Sequence, residues 1–154
     1  DTFDAQASAR VPKLQREADD AMRRGEWKAA EHLCRSIIAS DKKQVGAHGN
    51  LGTALFRQQR YWEAAGSYLV VLRYDPNDLV ALYHLAMTRI ELGQNDEAVD
   101  IVQKILSIDE VGNAYQLIAS NPLFELLKSD VRYRRVMSLY QARGGISAES
   151  GGQQ

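Results

Sequence analysis

One length dominates this chain. The stretch "LGTALFRQQRYWEAAGSYLVVLRYDPND", Leu51–Asp78, returns in outline 34 residues later as "LAMTRIELGQNDEAVDIVQKILSIDEVG", with a counterpart 34 residues earlier. Three equal windows, 11–44, 45–78 and 79–112, superpose without a gap. Ala18, Gly52 and Ala86 share the eighth place, and Ala30, Ala64 and Ala98 the twentieth. Apolar pairs (Ile37-Ile38, Val71-Leu72, Ile105-Leu106) fall at the twenty-seventh and twenty-eighth, and Asp41, Asp75 and Asp109 at the thirty-first. A unit repeating at this period cannot hide its own apolar face, so neighbours must stack.

Each window divides into two helical patterns. In the middle one, Leu51, Leu55 and Phe56 recur at helical spacing, as do Ala64, Tyr68, Val71 and Leu72. The short break between them is "RQQR", matched by segments around Gly25 and Gly93, where a left-handed residue commonly ends a helix. Pro76 disfavours helical geometry just before it and so closes the second pattern. Two helices joined by so short a turn must pack antiparallel. Gly52 and Ala64 are expected to let them approach closely.

Beyond 112 the period lapses, and the end of a stack needs cover. Asn121-Pro122 reads as a capped helix start, and Leu123, Phe124, Leu126 and Leu127 supply apolar cover. Asp130 is expected to open a last helix with Val131, Val136, Met137 and Tyr140 facing inward. Two readings stand for this segment: a cap on the third unit, the favoured one, or a built-in occupant of the groove. The expected organisation is a flexible tail over 1–10, one domain over 11–143 with its helical cap at 113–143, and a Gly/Ser/Gln-rich disordered tail over 144–154, starting at Gly144-Gly145.

Composition excludes more than it identifies. Apolar residues make up 45% and charged residues 25%, with a formal charge of −1, so no global field draws in nucleic acid or an anionic membrane. Apolar runs such as "YLVVL" are too short to span a bilayer. The start at Asp1 reads as a processed product or a trimmed segment. A cytoplasmic location is the default, with a periplasmic or membrane-anchored one open if a signal was removed.

No phosphate loop, nucleophile elbow or zinc-protease motif occurs. His32 is expected in solvent, His48 between repeats and His84 on the inner face, at places that give no reason to converge on a metal. Cys34 is the lone cysteine and is expected to be a buried, inert thiol. The expectation is a chain without catalysis, metal or cofactor.

A 34-residue period with small residues at the eighth and twentieth places resembles the tetratricopeptide repeat family. Trp27 and Tyr61 at the seventeenth place and Pro76 at the thirty-second fit it too, while Glu17, Arg89 and Asn95 depart from its pattern. The resemblance implies an all-α superhelix, a solenoid of three helix-turn-helix repeats with a C-terminal helical cap. The first helix of each pair would line a concave groove holding a partner's peptide or protein segment.

At the inward places stand Val80, Tyr83, Met87 and Ile90, expected as apolar anchors, with Asn50, Phe56 and His84 beside them. Arg16, Arg23 and Arg57 would hold an acidic or polar end of the segment. Members that clamp the acidic tails of chaperones use Lys and Asn where this chain has Gln15 and Asp19, Asn at the place of Asn50, and basic residues where it has Val80 and His84. Only Asn50 matches, so that ligand is not expected. The alternatives are self-association into a homo-oligomer and, more distantly, RNA binding.

Overall fold

The computed structural model describes the backbone of residues 2–149 and, Ser8 apart, the side chains of 5–142. Every element among the described residues is helical. In order they are α1 (Thr2–Arg24), α2 (Trp27–Ser40), α3 (Val45–Arg57), α4 (Tyr61–Tyr74), α5 (Leu79–Glu91), α6 (Asn95–Ile108), α7 (Asn113–Ser120), a 3-10 helix (Pro122–Leu127) and α8 (Val131–Glu149). Helices α3, α5 and α7 begin 34 residues apart, as do α2, α4 and α6.

Helix runs through both segments where tails were expected. α1 begins at Thr2 and carries Pro12 within it, and α8 passes Gly144-Gly145 to reach Glu149. Extending an existing helix adds one bond per residue without a new nucleus, and Ala5, Ala7 and Ala9 are good helix formers. Such an extension needs no burial of its own. Residues 1 and 150–154 of the expected tails lie outside the described residues.

The turns are built alike. Within each hairpin one residue is left-handed: Gly25 (φ 71°), Gln59 (φ 61°) and Gly93 (φ 73°). Between hairpins the recurring aspartate folds back on the chain. Its carboxylate accepts the amide two residues on, from Lys43 to Asp41 at 3.0 Å, Asn77 to Asp75 at 3.0 Å and Val111 to Asp109 at 3.3 Å. This Asx turn redirects the chain into the next helix, which is why the thirty-first place holds Asp each time.

Inside the hairpins the small residues are shut from solvent: Ala30, Ala64, Ala86 and Ala98 are at 0% exposure. The close approach is more particular than the sequence indicated. A Cβ on Gly52 would lie 2.7 Å from the Tyr68 ring. The eighth place thus yields to the twenty-fourth of its own repeat. Where the latter holds the smaller Cys34 or Val102, the former holds Ala18 or Ala86.

The hairpins stack in series, each helix packing on its sequence neighbour from α1 to α6. First helices also touch one another (α1 with α3, α3 with α5), while the second helices make no comparable contact. The first helices therefore lie on the inside of the curve. The C-terminal segment closes the stack. Ile118, Phe124, Leu127 and Tyr133 join the core of the third hairpin, and Arg132 reaches Asp96 and Asp100, each at 3.1 Å. Val131, expected inward, is 56% exposed, and Tyr133 takes the buried place. α8 starts after Asp130 has capped it, accepting from the Arg132 and Tyr133 amides, which turns Val131 outward.

Two substitutions check this packing. Gly52→Ala should destabilise by about 1–2 kcal/mol, because overpacking against the buried ring outweighs the helix-propensity gain. Tyr68→Val should cost less in that background than in the parent; equal costs in urea unfolding would mean the two places are not coupled. Gln59→Gly should stabilise by about 0.5–1 kcal/mol by relieving a left-handed non-glycine residue.

Candidate functional site

The inner face carries two adjoining clefts. The larger, about 820 Å³, lies between the N-terminal half of α5 and α7, with Val80, Tyr83, Ala114 and Leu117 among its walls. The smaller, about 360 Å³, lies between α3 and α5, over Gly46, Gly49, Asn50 and Thr53. Val80 and His84 belong to both, so they form one trough across the helices. Large apolar side chains stand exposed around it: Val80 at 68%, Val111 at 78% and Leu117 at 50%. Small residues open the other end. A Cβ on Gly46 would meet nothing within 4 Å.

An aromatic series forms the floor. Tyr68 stacks on His84 (centroids 5.5 Å, planes 14° apart), and His84 meets Tyr83 edge-on at 5.8 Å. Tyr83 stacks on Phe124 of the 3-10 helix at 5.6 Å. The Asn121 amide donates to the Tyr83 hydroxyl at 2.6 Å, and Thr53 shares a 3.2 Å bond with the Tyr68 hydroxyl. Burial pushes the Tyr68 phenol up to about 12, the Thr53 bond opposing it. Burial also holds the His84 imidazole below its usual value against the field of Asp78, so it is neutral near pH 7.

The structure gathers some of the expected residues and separates others. Asn50, Val80, Tyr83 and His84 meet at the trough. Ile90, expected as an anchor, is 4% exposed and belongs to the core of the third hairpin and cap. Met87 is half-buried, its sulfur accepting from the Asn121 amide at 3.3 Å. Asn121 at the start of the 3-10 helix, which packs on α5, holds Met87, and Ile90 lies in a core shared with α6 and the C-terminal segment. The C-terminal segment therefore packs on both helices of the third hairpin.

Phe56 packs edge-on against Tyr61 at 5.2 Å, and the Arg57 guanidinium lies 4.7 Å over the Trp27 ring. Arg23 pairs with Asp20, and Arg16 stands exposed on α1. None of these four lines either cleft. Sequence reasoning missed Val111, Ala114 and Leu117. A signal was present: a fourth window starting at Asn113 puts Ala114 and Leu117 at the second and fifth places, in register with Val80 and Tyr83.

His32 is exposed, and His48 is half-buried beside the Lys42 carbonyl at 3.3 Å. Burial, with Asp19 nearby, raises the Cys34 thiol to about 11, leaving it protonated. Among the described residues no three His, Cys, Asp or Glu gather as metal ligands, and no helix is long and apolar enough to cross a membrane.

Family models described as tetratricopeptide repeats match residues 16–78 and 67–100, together more than half of the chain, which belongs to that family. Domains of this kind are generally non-catalytic interaction modules, and the chain is a protein-interaction scaffold in that general sense. No curated protein matches it in sequence. Among solved structures it is similar to the TPR2B domain of yeast Sti1 in a pHsp70 complex (17% identity, TM-score 0.68), the match covering 79% of this chain and 98% of that one. MamA matches at 20% identity and TM-score 0.69, over 88% and 80% of the two chains. PcrH, in complex with the chaperone binding region of PopD, matches at 20% and 0.62, over 89% and 95%. These likenesses establish the fold.

His84 gives the site a pH signature. Its folded pKa is depressed, so as pH falls below about 6.5 the unfolded chain takes up a proton that the folded chain resists. Stability is lost from there down through the folded value, and nothing changes above. Melting temperature should therefore drop between pH 7 and pH 5 in the parent and drop less in His84→Phe.

Proposed function

We propose that the chain is a non-enzymatic holder of a partner's peptide segment, which docks across its inner face on Val80, Tyr83 and His84. Asn50 flanks the segment on one side, Ala114 and Leu117 on the other. The observation that carries this reading is the open cleft of about 820 Å³ ringed by exposed Val80, Val111 and Leu117. Apolar side chains standing in water around a concavity are the usual mark of a binding surface. The floor supports the reading as well, because the aromatic series is already fixed and little ordering is needed there on binding. The imidazole in the trough stacks on one tyrosine ring and meets another edge-on, so it serves as part of the aromatic floor.

Each well-covered apolar anchor contributes roughly 1.5–3 kcal/mol of transfer energy. Two or three anchors, less the cost of ordering a peptide, correspond to affinities of roughly micromolar order.

Selection of a displayed random-peptide library on the immobilised chain tests the reading. Selected peptides should lose at least about tenfold in affinity on Val80→Glu/Leu117→Glu, since both side chains are exposed and each removes an anchor of over 1.4 kcal/mol. Gly46→Leu should block the smaller cleft while strengthening α3, because the added side chain enters open space and glycine is a poor helix former. Peptides that bind all three proteins equally would place the site elsewhere.

A further inference from the structure

The trough is charged as well as apolar, and its charge has one sign. Asp78 lines the smaller cleft and Asp109 the larger, both half-buried. No lysine or arginine lines either cleft. Among the described residues, no cation lies within ion-pair distance of Asp78 or Asp109. His84 adds nothing near neutral pH, because burial keeps it unprotonated.

Both carboxylates also serve helix starts. Asp78 accepts the Ala81 amide at 2.9 Å in the first turn of α5, and Asp109 accepts the Ala114 amide at 2.6 Å in the first turn of α7. A helix N-terminus attracts a carboxylate but carries no net charge, so the formal charge of each aspartate stays at the cleft wall. The turns that carry them add Asp75 and Glu110 and hold no base. The corresponding first turn, "DKKQ", instead carries Lys42 and Lys43, so the acidity is particular to the part of the stack that borders the clefts.

Resting on the peptide-holding reading above, we propose that the segment held in the trough belongs to a cationic, apolar class. Its apolar side chains cover Val80, Val111 and Leu117, and lysine or arginine side chains lie over Asp78 and Asp109. This reverses the acidic end that the sequence assigned to Arg16, Arg23 and Arg57, none of which lines a cleft. A carboxylate brought into the trough would meet like charge in a partly desolvated site, and charge of the wrong sign is what excludes partners at such a surface.

The same library selection, read for composition, tests the class. Peptides that depend on Val80 and Leu117 should carry Lys and Arg at least about threefold more often than Asp and Glu, the excess expected of a complementary charged rim. The excess should vanish on Asp78→Asn/Asp109→Asn, in which asparagine keeps the oxygen that caps each helix and loses the charge. Synthetic peptides keep the test independent of that variant. Replacing the Lys or Arg residues of a selected peptide by Glu should weaken binding to the parent at least about tenfold at low salt, and less at about 0.3 M salt.

Cleft-dependent peptides that are neutral or acidic, or a Glu peptide that binds as well as its Lys parent, would overturn the cationic class and leave the peptide-holding reading standing. Failure to recover any cleft-dependent peptide would overturn both.

Discussion

The whole arrangement rests on how near two short helices can come. A hairpin with arms of 13 and 14 residues, such as α3 and α4, is too small to bury both of its apolar faces, so the pair must close on itself and then be covered by a neighbour. Gly52 sets that approach in the second hairpin by leaving the Tyr68 ring the space that a methyl group would take. The ring then extends through the hairpin and stacks on His84 of the next. A packing choice made at one glycine therefore reaches the floor of the trough, two helices away. Replacing the ring by a smaller side chain would alter both the core and the site.

Polar contacts divide the work between junctions. The first and second hairpins are tied by Glu31, whose carboxylate accepts from Arg60 at 2.7 and 2.9 Å, from Arg35 at 3.1 Å and from Gln58 at 3.0 Å. Burial alone would raise the Glu31 carboxyl, and these bonds more than offset it, holding it below its ordinary range. Arg60 and Arg35 are about half exposed and are shared with Glu63, so each pair is weak alone and the network chiefly fixes register. At the far end Arg132 does the same between α8 and α6. Between the second and third hairpins the Tyr68 ring stacks on His84, and the Tyr61 hydroxyl bonds the Glu91 carboxylate.

The parts of this structure that follow from repetition were legible, and the parts that depend on a single tertiary contact were not. Identical spacing of Ala30, Ala64 and Ala98 is a property of the chain itself, and it carried the hairpins, their stacking and the inner face with it. Half of the candidate site followed, because Asn50, Val80, Tyr83 and His84 occupy inward places. Met87 and Ile90 occupy such places too, and the packing of α6 and the segment after Ser120 on α5 covers them. Arg57 could not be placed by periodicity, since the nearby Trp27 ring belongs to another repeat. α8 begins where Asp130 indicated, yet Val131 faces outward and Tyr133 is buried, a facing that the apolar pattern of one helix does not resolve.

The 3-10 helix has a geometric consequence. By packing on α5, it leaves open a strip that runs across the helix axes from α3 to α7 rather than along any one of them. A segment crossing the stack at that level would meet the first turns of α5 and α7, whereas one laid lengthwise along α5 would run into the 3-10 helix.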